Sequence, residues 1–169
     1  LALIMHGMGF QIQGSDISSN KNIESLKKKK IKISIGHNKR NITTATVLVI
    51  SSAIKKNNPE FKEGKMKNLP IYKRGEMLGH IASLTKNITV VGSHGKTTTT
   101  SLIASIFSKT KIDPTIVNGG VLNSFNSSAR LGNSNWSILE LDESDGSFIE
   151  VLPTYSIITN IDREHMDYY

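Results

Sequence analysis

Asn87-Ile88-Thr89-Val90-Val91-Gly92-Ser93-His94-Gly95-Lys96-Thr97-Thr98-Thr99-Thr100 decides how this 169-residue sequence is read. The first five residues are rich in β-branched side chains and read as a buried strand. The run stops at Gly92, and Ser101-Leu102-Ile103-Ala104-Ser105-Ile106-Phe107 continues as an apolar-rich segment long enough for a helix. In a strand-to-helix turn of small residues, glycine lets the backbone approach a phosphate chain, and the amides and positive dipole end at the helix start face the anion. Lys96 adds a mobile positive charge, and the hydroxyl of Thr97 is placed to ligate a magnesium ion shared with the phosphates. The common phosphate-loop pattern has four residues between its first glycine and the Gly-Lys pair. Val90 occupies the position where that first glycine would stand, so a shorter Gly92-x-x-Gly95-Lys96-Thr97 loop remains. The competing reading is an ordinary turn with Thr97 to Thr100 as capping residues. The flanking strand and helix favour the phosphate loop.

Outward from this loop the chain alternates strand and helix. Downstream, Thr115-Ile116-Val117, Trp136-Ser137-Ile138-Leu139 and Tyr155-Ser156-Ile157-Ile158 read as further strands of the same sheet. Glu140-Leu141-Asp142-Glu143-Ser144-Asp145 follows one of them, and a carboxylate at a strand's carboxyl end can hold magnesium, a hard cation preferring oxygen ligands. Asn160-Ile161-Asp162-Arg163-Glu164-His165-Met166-Asp167 follows the last strand. His165 taken singly reads as a surface residue; with Lys96, Thr97 and Glu140 it becomes a candidate metal ligand in a crevice shared by three strand ends. Asn118-Gly119-Gly120 reads as the end of its strand, where glycines permit close approach to a ligand. Arg130 has no acidic neighbour within two residues. It reads as a surface cation or as a bidentate clamp for an anionic substrate.

Upstream, Leu1 to Met8 reads as a helix already under way, which makes the sequence look like a piece lacking its beginning. Gly9 closes that helix, so His6-Gly7-Met8-Gly9 is a C-cap rather than a dinucleotide fingerprint. Phe10 to Gln13 alternates like a strand leading to Gly14-Ser15-Asp16, and Asn20 caps a helix through Lys30. Ile31 to Ile35 and Ala45 to Ile50 are strands, the latter delivering Ser51-Ser52 to its carboxyl end. A helix to Lys67, a strand at Pro70-Ile71-Tyr72 and a helix opening at Arg74-Gly75-Glu76-Met77-Leu78 follow. Asp16 stands where a carboxylate takes a ribose hydroxyl or simply caps the next helix. The pattern predicts two successive α/β units with parallel sheets, meeting near residues 80 to 87.

A chain of this length can bury a sizeable core as one domain or as parts of two. Without cysteine it has neither disulfides nor thiolate metal sites, which is compatible with a reducing compartment. No uninterrupted apolar stretch approaches membrane-spanning length and no signal peptide is visible, so a cytoplasmic protein with no membrane partner is expected. The net charge of +7 raises the question of nucleic acid. Lysine, isoleucine and asparagine are enriched together, however, as an AT-rich coding sequence would give. Lys27-Lys28-Lys29-Lys30 carries no interleaved aromatics and follows Ile23 and Leu26, which suits the solvated end of an amphipathic helix. No nucleic-acid partner is expected.

Taken together, Val91 to Thr100, Val117 to Gly120, Ala129-Arg130-Leu131-Gly132, Glu140 to Asp145 and Thr159-Asn160-Ile161 through His165-Met166-Asp167 resemble the Mur ligases. Gly14-Ser15-Asp16, Ser51-Ser52-Ala53-Ile54 with Asn58-Pro59-Glu60, and Arg74 to Leu78 extend the likeness to the whole chain. The resemblance implies a three-domain enzyme of peptidoglycan synthesis, of which two domains are represented here. Residues 1–84 would be a Rossmann-like parallel-sheet domain for the UDP part of the substrate, truncated at its start and lacking its first strand. Residues 85–169 would be the incomplete amino-terminal part of a phosphate-loop ATP-binding α/β domain.

In such enzymes ATP phosphorylates the carboxylate of UDP-N-acetylmuramate, and an amine, here L-alanine, attacks the acyl phosphate to give an amide, ADP and phosphate. The resemblance implies ATP and magnesium as cofactors and assigns roles by motif. Gly92, Ser93, His94, Gly95, Lys96, Thr97, Thr98 and Asn160 would meet ATP. Lys96 would neutralise the transferring phosphate, Thr97 would ligate one magnesium, and Glu140 with His165 would hold the second. Asn118, Gly119, Gly120 and Arg130 would lie near the muramyl substrate, and Asp16, Ser51 and Ser52 would line the uridine side. The chain departs from the family in having Glu164 where an aspartate is usual and no glycine-rich loop ahead of its first helix. Without the rest of the central domain and the third domain, the fragment is expected to bind nucleotide weakly and not to complete ligation. Two alternatives stand beside this reading: a sister ligase joining a whole peptide to the muramyl group, and a basic nucleotide-binding module acting on nucleic acid.

Overall fold

The computed structural model describes residues 1–122, 127–142 and 147–163. It divides into two compact units, one of residues 2–74 and one that starts at Gly75 and takes in Leu1.

The first unit opens with helix α1 (Ala2–Gly7), whose Ile4 is fully buried. The strand expected from Phe10 starts later, as β1 (Gln13–Asp16). The cause is local: Gly9 turns the chain at φ +93° and the Phe10 amide donates to Met5 O at 3.1 Å, which ties Phe10 to the end of α1. Helix α2 (Lys21–Lys28) is capped by Asn20, whose side chain accepts the Ile23 amide at 3.0 Å. It ends two residues before the expected Lys30, which takes a left-handed conformation. Lys27 to Lys30 are all exposed, as expected of a solvated helix end.

Strand β2 (Lys32–Ile35) pairs parallel with β1, Asp16 standing opposite Ile35. Strand β3 (Leu48–Ile50) is shorter than the Ala45 to Ile50 run, because the Ala45 amide donates to Ile42 O in a preceding turn. After helix α3 (Pro59–Met66), β4 (Ile71–Lys73) pairs parallel with β3. The described strands of this unit thus form two parallel pairs rather than one sheet.

The polar centre of the first unit is Glu60, on the first turn of α3 and only 8% exposed. One carboxylate oxygen accepts Ser15 Oγ at 2.6 Å and His37 Nδ1 at 3.3 Å. The other accepts Asn41 Nδ2 at 2.6 Å and the Asn38 amide at 3.2 Å. Burial pushes this carboxyl up. The bonds from Ser15, Asn41 and Asn38, with His37 alongside, outweigh burial and hold it below its ordinary 4.5.

Helix α4 (Arg74–Ala82) packs with the second unit from Gly75 onward. The reason is apolar burial, since Leu78 and Ala82 close over Leu139, Leu141 and Val151. Strand β5 (Lys86–Val91) leads through the loop to helix α5 (Lys96–Phe107), followed by β6 (Thr115–Leu122), β7 (Ser127–Arg130), β8 (Trp136–Glu140), the short helix α6 (Ser147–Glu150) and β9 (Tyr155–Ile158). The sheet order is β7-β6-β8-β5-β9, parallel except for β7.

Alternate residues of the central strands face opposite layers. Ile116 and Ile138 bury with Ala104 of α5, while Val117 and Leu139 face the α4 side. Two polar residues tie β9 to β5: Asn87 exchanges hydrogen bonds with Thr154 and reaches Leu152 O, and Thr89 Oγ1 bonds Ser156 Oγ at 3.1 Å. One expectation is corrected: Asn118-Gly119-Gly120 does not end β6, which continues to Leu122 and returns antiparallel as β7 with an irregular register after Val117. No helix among the described residues is long and apolar enough to cross a membrane.

Because the Glu60 carboxyl is held below 4.5, the unfolded chain takes up its proton first as pH falls. The stabilisation is therefore complete above that value and is lost as pH drops through the lower folded one. Amide exchange should show β1, β2 and α3 keeping their protection from neutral pH down to about 4.5 and losing it as pH falls further, and Glu60→Gln should flatten this dependence.

Candidate functional site

The second unit builds its site where β5 and β8 end beside the middle of β6. Parallel register sets Val90 opposite Glu140, and Val117 opposite Leu139, so Asn118 and Glu140 stand at one level beside the loop that leaves β5. Gly92 takes φ +129° and Gly95 φ +80°, both in the region that favours glycine. Gly95 is the N-cap of α5 and has no side chain to bond the helix amides, and the space beside its Cα is open. A twelve-residue helix thus presents its positive end to that space.

The charged and hydroxyl groups gather there. Lys96 folds back over the loop, its Nζ donating to Gly92 O at 2.5 Å and Ser93 O at 3.2 Å. Thr97 Oγ1 donates to one carboxylate oxygen of Glu140 at 2.8 Å, and the Gly119 amide donates to the other at 2.7 Å. A Cβ at Gly119 would stand 2.7 Å from that carboxylate, and one at Gly120 would stand 3.0 Å from the Thr97 methyl. These glycines let β6 lie against Thr97 and Glu140. Asn118, buried beside them, donates to Ser101 Oγ at 3.3 Å and Gly120 O at 3.1 Å, while its Oδ1 has no partner among the described residues.

The end of β9 clasps the loop from the other side. Asn160 Oδ1 accepts the His94 amide at 2.8 Å and its Nδ2 donates to His94 O at 2.9 Å. Thr159 Oγ1 also donates to His94 O, at 2.7 Å. Ser93 Oγ accepts the Asp162 amide at 3.0 Å, and the exposed His94 ring lies 3.5 Å from the Asp162 carboxylate. Asn160 therefore acts here on the loop backbone through both ends of its amide.

The structure brings together Gly92, Ser93, His94, Gly95, Lys96, Thr97, Glu140, Asn118, Gly119, Gly120 and Asn160. Thr98 is exposed on the first turn of α5. His165 and Glu164 lie outside the described residues, as do residues 143–146 of the acidic run. Arg130 stands opposite Ile116, two residues short of the level of Asn118, and pairs with Asp113 at 2.5 Å. The Arg130 guanidinium, helped by bonds from Asn133, holds the Asp113 carboxyl below its ordinary 3.8 against some burial. A partner seventeen positions away is invisible to a search of near neighbours.

In the first unit, Asp16 closes β1. Asn20, not Asp16, caps α2, which removes the helix-capping reading; the Asp16 carboxylate instead accepts the Ser18 amide at 3.4 Å. Ser51 and Ser52 are exposed directly after β3. Glu60 and His37 share a network with Ser15, for which the sequence offers no signal beyond the Asn58-Pro59 helix start beside Glu60.

Among the described residues no group of three histidine, cysteine or acidic side chains could hold a metal by itself. The Glu140 carboxylate and Thr97 hydroxyl are nonetheless hard oxygen donors at one place. That fits magnesium, which binds through one or two carboxylates together with phosphate oxygens and water.

A parallel α/β sheet with a glycine-bounded loop opening a helix, and a lysine and threonine just inside it, defines the phosphate-loop class of domain. Residues 1–86 match the family model described as Mur ligase family, catalytic domain, and residues 90–169 match the Mur ligase middle domain. This chain belongs to the Mur ligase family. It is 74% identical over its whole length to UDP-N-acetylmuramate--L-alanine ligase of Pelagibacter ubique, and 49% identical to the enzyme of that name from Rickettsia bellii. It spans 36% and 35% of their lengths. The crystal structure of UDP-N-acetylmuramate-alanine ligase from Thermotoga maritima superposes with a TM-score of 0.91 at 29% identity, covering 99% of this chain and 40% of that one.

A Cβ at Gly92 would overlap Thr159 Oγ1 and stand 2.7 Å from Asn160 O, at a φ that side chains avoid. Gly92→Ala should cost about 1–3 kcal/mol and open the clasp. Hydrogen exchange checks it: the amides of residues 93–95 should lose protection while those of β5 and β8 keep theirs.

Proposed function

We propose that this chain is the UDP-sugar-binding and ATP-binding part of an enzyme that joins L-alanine to the carboxylate of UDP-N-acetylmuramate in peptidoglycan synthesis, in the cytoplasm. Residues 1–84 take the UDP-sugar, with Asp16, Ser51 and Ser52 on the uridine side. Residues 85–169 take ATP and magnesium. The observation that carries the reading is the meeting of Lys96, Thr97 and Glu140 beside the open start of α5.

A carboxylate is a poor acyl donor until one of its oxygens carries phosphate. In the first step a muramyl carboxylate oxygen bonds to the γ-phosphorus of ATP as the bridge to the β-phosphate breaks, releasing ADP. In the second, the L-alanine nitrogen bonds to the carbonyl carbon, loses a proton, and phosphate leaves. Such transfers depend on positioning and on neutralising charge at the transferred group. Lys96 does this by turning its Nζ from the loop carbonyls to the phosphate. Thr97 can give a lone pair to a cation while its own hydrogen stays directed at Glu140, so the 2.8 Å bond and a metal are compatible. Magnesium, when bound, withdraws charge from the phosphate oxygens; Thr97 would ligate one such ion, and Glu140 with His165, as family correspondence assigns, would hold a second. The α5 amides cradle the phosphates, Asn160 and Thr159 keep the loop in shape, and Asn118 with Gly119 and Gly120 borders the muramyl side. L-Alanine as the amine rests on the names of the relatives.

The test measures phosphate release by a protein of the relatives' full length that carries this sequence, given UDP-N-acetylmuramate, ATP and magnesium, with and without L-alanine. Release should depend on L-alanine. Release that ignores it, or that a peptide supports better, would overturn the assignment, and salt-sensitive oligonucleotide binding without response to UDP-N-acetylmuramate would point to the nucleic-acid alternative. Lys96→Ala should lower turnover by about 10²–10³ or more while UDP-sugar binding persists; loss of both together would refute the two-site division.

A further inference from the structure

We propose that Glu60 is a positioning residue of the UDP-sugar site: it fixes the hydrogen-bonding polarity of Ser15 and His37 at the carboxyl ends of β1 and β2. The proposal rests on the reading that residues 1–84 bind the UDP part of the substrate.

The hydrogens can be assigned without seeing them. An ionised carboxylate only accepts, so the 2.6 Å contact from Ser15 Oγ uses the hydroxyl hydrogen. Ser15 Oγ must then accept at its 3.0 Å contact with His37, which requires a hydrogen on His37 Nδ1. The 3.3 Å contact between that nitrogen and Glu60 demands the same hydrogen independently. A neutral His37 is thereby held in the Nδ1–H tautomer, with Nε2 left as a bare acceptor.

The same carboxylate orders the backbone around Asp16. Ser15 precedes Asp16 on β1, and Asp16 O accepts the Gly36 amide at 2.7 Å, immediately before His37. Glu60's other oxygen holds the Asn38 amide and Asn41 Nδ2, and Asn41 also donates to Gly36 O at 3.1 Å. One buried group thus joins the start of α3 to both strand ends. A glutamine cannot replace it, since its NH₂ would face donors on one side. The side able to adapt is Ser15 and His37, by rotating a hydroxyl and moving a ring proton to Nε2. Asn38 offers a backbone N–H and cannot adapt.

The experiment uses the full-length protein with UDP and UDP-N-acetylmuramate as probes, comparing wild type with Glu60→Gln and Ser15→Ala. In wild type at pH 8, nitrogen NMR of the His37 ring should show Nδ1 protonated and Nε2 bare. Glu60→Gln should shift the ring toward Nε2–H and raise the KM for UDP-N-acetylmuramate about tenfold, with kcat and the KM for ATP unchanged. A folded Glu60→Gln protein with the wild-type tautomer and KM would overturn the proposal. Should that variant not fold, Ser15→Ala decides, since it removes one bond and leaves the carboxylate in place; it should raise the same KM by a smaller factor, and an unchanged KM would overturn the proposal. If wild type does not bind UDP at all, the functional reading fails, whereas UDP binding that Glu60→Gln leaves untouched refutes only the role of Glu60.

Discussion

The second unit depends on one register: β5 and β8 run parallel with Val90 opposite Glu140. Because the loop begins two residues beyond Val90, this places a carboxylate at the level where α5 starts, and Thr97 reaches it at 2.8 Å. A slip of one residue would turn Glu140 into the layer where Leu139 is fully buried. The register is protected by that burial. Ile138 and Leu139 face opposite apolar layers, so displacing the strand would put Glu140 or Ser137 into a hydrophobic contact. Core packing and site geometry are the same constraint seen from two sides.

The loop itself is held by neighbours rather than by its own sequence. Its two positive-φ glycines make the turn possible, but the bonds from Asn160, Thr159 and Asp162 select one conformation among those available. Asn160 is bonded at both ends of its amide to His94. Ordering the loop in advance lowers the entropy cost of binding a phosphate chain, and the loop's amides then need little rearrangement.

The first unit solves a different problem. Its strands are three or four residues long and its described strand pairs are separate, so apolar burial alone gives its strand ends little definition. A buried carboxylate with four donors supplies that definition, because hydrogen bonds are directional where hydrophobic contacts are not. Leaving any donor unmatched in such a place carries a full desolvation penalty, which makes the network specific as well as stabilising.

What the sequence determined by itself was local. The strand ahead of Gly92, the helix after Gly95, the Asn20 cap and the alternation of strands with helices follow from side-chain shape, period and capping chemistry within a few residues, and each is found. The convergence of Lys96, Thr97 and Glu140 was also legible, because parallel strands bring their carboxyl ends to one edge. What needed the tertiary structure were the contacts between residues far apart in the chain. Asp113 takes Arg130, Asn160 braces His94, β6 runs on through Gly120 to pair with β7, and Glu60 gathers Ser15, His37, Asn38 and Asn41. Such pairings depend on which side chains folding brings within hydrogen-bond reach, and sequence spacing carries no information about that distance.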